Sequence, residues 1–167
     1  MRKFACFSIA LVFGAPSALA QSQPEIENPY AEYYATVVRV IDGDTLEVRV
    51  DLWPGLVAEY SVRVRDIDTP ELRGADCPQE KRWAEEAKAQ VEKLYPISTT
   101  VKLEDVAFDA YSGRVLADVR RFVSDRWKYL AEELIGRDMA MPWTTDMEKI
   151  EWCKLSKPFS GPASFGK

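Results

Sequence analysis

The chain has 167 residues, of which 47% are apolar, 11% aromatic and 29% charged, with a formal charge of −5. That is one domain's length and a globular composition, which excludes disordered, collagen-like and polytopic membrane proteins. There is no histidine, which excludes Ser-His-Asp triads, His-Cys zinc sites and imidazole acid–base chemistry; proton transfer must use carboxylates, Lys, Tyr, Cys or water.

Residues 1–20 read as a secretory signal peptide, with Arg2 and Lys3 as a basic start, an apolar run from Phe4 to Phe13, and an Ala18-Leu19-Ala20 exit. The run is too short for a bilayer core that needs about 20 helical residues. Cleavage near Ala20 is therefore expected, giving an exported protein, periplasmic or secreted, with no membrane segment in its mature form. Cleavage would remove two basic and no acidic residues, leaving 20 basic against 27 acidic, a balance of −7. That charge disfavours tight, non-specific nucleic-acid binding. Cys6 would leave with the signal, so Cys77 and Cys153 remain. An even pair in an oxidising compartment suggests one disulfide, the alternative being two buried thiols.

Residues 21–33 carry Pro24 and Pro29 and read as a loose arm. The domain is expected over residues 34–145, with 146–167 as a tail that the disulfide would clip. Ala35 to Ile41 and Thr45 to Val50 read as a hairpin around Asp42-Gly43, and Tyr60 to Ile67 as a third strand. After Pro78, Trp83, Ala87, Val91 and Leu94 mark an amphipathic helix that Pro96 stops. Val101 and Leu103, then Val115, Ala117 and Val119, alternate with polar residues as two more strands. Ser124 and Asp125 would cap a second helix with the stripe Trp127, Leu130, Ala131 and Leu134, ending at Gly136. A short third helix would carry Met147, Ile150 and Glu151. The expected fold class is α+β: a five-stranded barrel of the oligonucleotide-binding (OB) type with two to three helices.

Carboxylates and arginines gather at Asp42-Gly43-Asp44 and between Arg63 and Glu71. Each segment alone is ordinary turn chemistry. Together, Asp44 opening the second strand and Asp68 closing the third would meet at one rim. With the Thr69 carbonyl they would form a partial, open oxygen shell of the kind that suits Ca²⁺. Glu71 would face any phosphate repulsively, a handicap for binding but a use as general base. Arg63 and Arg114 could stabilise charge on a five-coordinate phosphorus. Strand alternation, however, places Arg63 and Asp68 on opposite faces unless the strand bends. Tyr111 is a candidate nucleotide contact, the alternative being a turn residue over the barrel.

These residues resemble the staphylococcal nuclease-like (thermonuclease) family. The resemblance rests on Val40-Ile41-Asp42-Gly43-Asp44-Thr45, on Arg63 with Asp68-Thr69-Pro70-Glu71, and on Asp109 through Ala117, in family order over about residues 35–143. It implies a Ca²⁺-dependent endonuclease acting on DNA and RNA, with single strands preferred, that leaves 3′-phosphate ends and works as a monomer. In that pattern Asp44, Asp68 and Thr69 hold the metal, Glu71 is the general base, and Arg63 and Arg114 hold the reacting phosphate. Ser112 is extra within the family's Tyr-Gly-Arg step, Ala110 stands where a lysine is common, and Met141-Pro142-Trp143 stands where tyrosines line the nucleotide pocket. Two other readings compete: a non-catalytic barrel binding nucleic acid or saccharide, and a glycan hydrolase with Asp44 and Asp68 flanking a sugar.

Overall fold

The computed structural model describes residues 32–108 and 113–155. The expected signal peptide, most of the expected arm, Asp109, Ala110, Tyr111, Ser112 and the last residues of the tail lie outside them. Five strands of alternating apolar and polar residues form the frame: β1 (Glu32–Val40), β2 (Thr45–Trp53), β3 (Leu56–Val64), β5 (Thr100–Phe108) and β6 (Val115–Val123), with a separate two-residue β4 (Ile67–Asp68) between β3 and β5 in the chain. The sheet runs β3-β2-β1-β5-β6, and a parallel β3–β6 pairing closes it into a mixed barrel. This is an OB-like α+β architecture with one further strand, β7 (Arg126–Tyr129), added on β6.

The interior is filled by the inward half of each alternation, including Leu46, Val48, Val62, Val64, Val101, Leu103, Ala117 and Val119. A bulge in β1 between Val37 and Arg39 shifts the phase, so that Val40 turns inward and Arg39 outward. Helix α1 (Pro78–Leu94) lies between β4 and β5, and α2 (Leu130–Ile135) packs Leu130, Leu134 and Ile135 onto the barrel.

Several expectations from the sequence need correction. The third strand is not continuous to Ile67: β3 stops at Val64 and Asp66, at φ 60, turns the chain before β4 begins. The buried stripe of α1 is Glu80, Ala84, Ala87 and Val91, with Trp83 to one side. The expected second helix is two elements. Ser124 and Asp125 both adopt positive φ, 50 and 59, and form a tight hairpin turn into β7, so Ser124 caps nothing and the helix begins at Leu130. In place of a third helix there is irregular chain and one 3₁₀ turn (Trp152–Lys154), whose Trp152 is buried. Trp143 donates its indole N–H to the Glu148 carbonyl, 3.2 Å away.

Cys77 and Cys153 lie at disulfide-bonding distance, with sulfurs 2.11 Å and Cα atoms 6.0 Å apart, joining the start of α1 to the 3₁₀ turn. Among the described residues no helix is long and apolar enough to cross a membrane.

Candidate functional site

The site grows from the tight connection between β1 and β2. The amides of Ile41 and Asp42 both donate to the Thr45 carbonyl, and the Asp42 carboxylate accepts the Asp44 amide at 3.2 Å. This folds the chain so that Asp44 points inward, with its residue only 2% exposed. Gly43 lies outside the left-handed region; its role is space. A Cβ there would meet the Thr69 side chain at 2.8–2.9 Å, so only glycine lets the two segments close.

Thr69 uses that closeness, donating its amide (3.0 Å) and hydroxyl (2.9 Å) to Asp44 Oδ2. On the other oxygen, Oδ1, the Thr45 hydroxyl donates at 3.1 Å and Arg63 Nη1 at 2.6 Å. The second arm of the same guanidinium, Nη2, donates to Asp68 Oδ1 at 2.7 Å. The conflict between Arg63 and Asp68 over strand faces is thus resolved by the turn at Asp66, which brings Asp68 back beside the residue five positions earlier.

Beside this knot opens a cleft of about 300 Å³ lined by Asp42, Thr45, Ser61, Glu71, Arg73 and Arg114. Arg114 reaches it because the parallel pairing sets Val115 against Val62 and therefore brings the start of β6 next to Ser61. Asp44, Arg63, Asp68 and Thr69 are joined to one another by hydrogen bonds, while Glu71 and Arg114 share the adjacent cleft. Tyr111 lies outside the described residues.

Two participants escape a reading by residue type. Arg73, two positions beyond Glu71, adds a further guanidinium to the cleft, and only its distance from Glu71 could have marked it. Glu80 carries the loop that presents Glu71: its Oε1 accepts the Glu71 amide at 3.3 Å and its Oε2 the Asp76 amide at 2.7 Å. Helical spacing from Ala84, Ala87 and Val91 was the available signal for it.

Charge in the cluster is lopsided. Burial pushes the Asp44 carboxyl up, from 3.8 to about 7; Arg63 opposes this, and Asp42 and Asp68 add to it. For Arg63, burial works against the charge, and Asp44 and Asp68 outweigh it, so the guanidinium is held more firmly protonated than usual. Glu71, on the exposed loop, is pushed up first by the partial loss of solvent around its carboxyl at the cleft and then by Asp68 and Asp42. Within the knot one guanidinium thus faces two carboxylates, Asp44 and Asp68, while Arg73 and Arg114 line the cleft beside it.

The donors are all oxygens and the charge is in negative excess, so in chemistry this set fits a hard divalent cation such as Ca²⁺. The carboxylates are spread around Arg63 and form no closed cage. Among the described residues, the one group of three acidic or sulfur ligands within 4.8 Å of each other is Cys77, Glu80 and Cys153, where the sulfurs are engaged with each other. No family model matches the chain, and no curated protein matches it.

Proposed function

We propose that the chain is an exported, Ca²⁺-dependent phosphodiesterase that cuts DNA and RNA, in the manner of the staphylococcal nuclease-like proteins its motifs resemble. The observation that carries this reading is Arg63, shared between Asp44 and Asp68 at 2.6 and 2.7 Å, next to a cleft holding Glu71 and Arg114. Fixed guanidinium forks beside clustered carboxylates suit a phosphodiester better than a sugar, which has no charge for them to hold.

Asp44, Asp68 and the Thr69 carbonyl would hold the cation. When bound, it supplies positive charge against the phosphate and polarises the ester. The remaining chemistry belongs to the protein. Glu71 removes a proton from the attacking water as the new O–P bond forms; the opposite P–O bond breaks, its electron pair leaving with the 5′ oxygen, which takes a proton from solvent water to become the 5′-hydroxyl, and the phosphate stays on the 3′ side. Arg63 and Arg114 donate hydrogen bonds to the phosphoryl oxygens, where charge accumulates at five-coordinate phosphorus. The raised position of Glu71 brings its basicity nearer to neutral working pH.

A mature charge of −7 weakens substrate capture overall. The arginines concentrate positive charge where the phosphate sits, so binding should be weak and fall steeply with salt. The test is digestion of single-stranded DNA by the mature protein and by its Glu71→Gln and Arg114→Ala variants, with analysis of the product ends. The reading expects 3′-phosphate ends and losses on the order of 10²-fold or more for both variants. Unchanged activity in Glu71→Gln rejects the base, and binding without cleavage by the unaltered protein favours a non-catalytic barrel.

A further inference from the structure

Glu80 is a buried carboxylate that the proposed reaction leaves without a part. It sits in the first turn of α1, 1% exposed, and among the described residues no Lys or Arg forms an ion pair with it. Burying an ionised carboxylate without a cation is costly unless donors satisfy it. Here the donors are two backbone amides, one on each oxygen: Glu71 N–H on Oε1 and Asp76 N–H on Oε2. These are the two ends of the irregular segment that carries the Glu71 side chain into the cleft.

From this geometry we infer that Glu80 is a positioning residue for Glu71. It staples both ends of the 71–76 loop to the helix and so sets where the Glu71 carboxylate stands. The inference deepens the proposed function and rests on Glu71 being the base. Three features support it. The Glu71 side chain is exposed, so neighbouring packing contributes little to its position. The loop is anchored on either side, by Thr69 on Asp44 and by Cys77 on Cys153; between them Glu80 supplies the buried contacts, and the ion pair from Lys149 to Asp76, at 3.3 Å, is solvent-exposed. The C-terminal segment also covers the staple: Gln79 Nε2 donates to the Leu155 carbonyl at 2.8 Å, and Cys153 Sγ lies 3.5 Å from Glu80 Oε2.

Two facing N–H groups need two acceptor oxygens, which a carboxylate offers and an amide does not. Glu80→Gln therefore turns one bond into an opposed pair of donors at nearly constant volume, while Glu80→Asp keeps both oxygens on a shorter stem. Two measurements test the inference. The first is amide hydrogen exchange at Glu71 and Asp76, which needs no activity. Glu80→Gln should lose protection at whichever of the two amides comes to face its NH₂ group, or at both, while core amides such as Val48 and Val119 keep theirs; unchanged protection at both Glu71 and Asp76 overturns the inference.

The second is steady-state cleavage of single-stranded DNA. Glu80→Gln should lower kcat by on the order of tenfold to a hundredfold, with KM within about twofold, and Glu80→Asp should recover part of the loss. In a Glu71→Gln background, Glu80→Gln should lower kcat no further. An equal additional loss there shows that Glu80 does not act through Glu71 and overturns the inference. If Glu71→Gln retains full activity, the base assignment fails, and the exchange result still decides whether Glu80 holds the loop. Should Glu80→Gln not fold, Glu80→Asp carries both measurements, with partial loss of the same two protections expected.

Discussion

Among the described residues, two of the knots that carboxylates and guanidiniums form are built on opposite charge ratios. At the base of α2, Glu133 accepts two hydrogen bonds from Arg121, at 3.1 and 2.8 Å, and one from the Tyr95 hydroxyl at 3.3 Å, while Arg137 stands 3.7 Å away. Two cations attend one carboxylate, and the knot ties α2 to β6 and to the end of α1. At the β1–β2 turn, one cation, Arg63, is divided between two carboxylates, with Asp42 and Glu71 close enough to act on the cluster electrostatically. The first knot carries no surplus negative charge, although Glu133 and Arg137 also border a cleft of about 340 Å³. The second carries surplus negative charge and faces a cleft. Buried ion pairs alone therefore do not mark a functional site; an unbalanced one beside open space is the more informative feature.

The same conservative change at both arginines gives the sharpest contrast. Arg63→Lys keeps the charge but loses the two-armed bridge and should lower DNA cleavage by on the order of 10²- to 10³-fold in folded protein, measured by steady-state kinetics. Arg121→Lys should destabilise the fold by about 1–2 kcal/mol in denaturant titration and leave the activity of the folded fraction unchanged. Comparable activity losses in both variants would erase the distinction between the knots.

A smaller effect concerns pH. The Asp44 carboxyl is raised in the fold to about 7 from 3.8, chiefly by burial, so between those values the folded state binds more proton than the unfolded state. Stability from this group is fully present below about pH 4 and is lost as pH rises towards 7 and beyond. In cation-free buffer the thermal midpoint should therefore fall between pH 5 and 8, by on the order of 5 °C more than in Asp44→Asn. Parallel pH curves for the two proteins would contradict the raised carboxyl.

The smallest change is expected at an exposed pair outside both knots. Arg49 and Glu59 face each other across β2 and β3 at 2.7 Å with both side chains about half exposed, and Arg49→Ala should cost less than about 1 kcal/mol in the same titration. A larger loss would mean that the outer sheet face, too, stores ionic stability.

The barrel was legible because alternation over β1, β2, β5 and β6 leaves little choice about which residues face inward. Trp127, Leu130, Ala131 and Leu134 fit a helical stripe equally well, but Ser124 and Asp125 both take positive φ, and that reversal pairs Arg126–Tyr129 with β6 before any helix begins. Residue type was enough to single out Asp44, Arg63, Asp68 and Glu71. Spacing could not show that Asp68 returns to Arg63, since this depends on the backbone of Asp66. Gly43 read as a turn residue, whereas its missing side chain makes room for Thr69. Glu80 was hidden by the habit of assigning charged residues to the solvent face of a helix.

In the proposed reaction the Asp44–Arg63–Asp68 knot and its cleft work together with a divalent cation. The direct measurement is the rate of single-stranded DNA cleavage by the mature protein in Ca²⁺ and in excess chelator. A role for the cation requires cleavage that depends on Ca²⁺, is abolished by chelator and returns on adding the ion back. Full activity in chelator would contradict it.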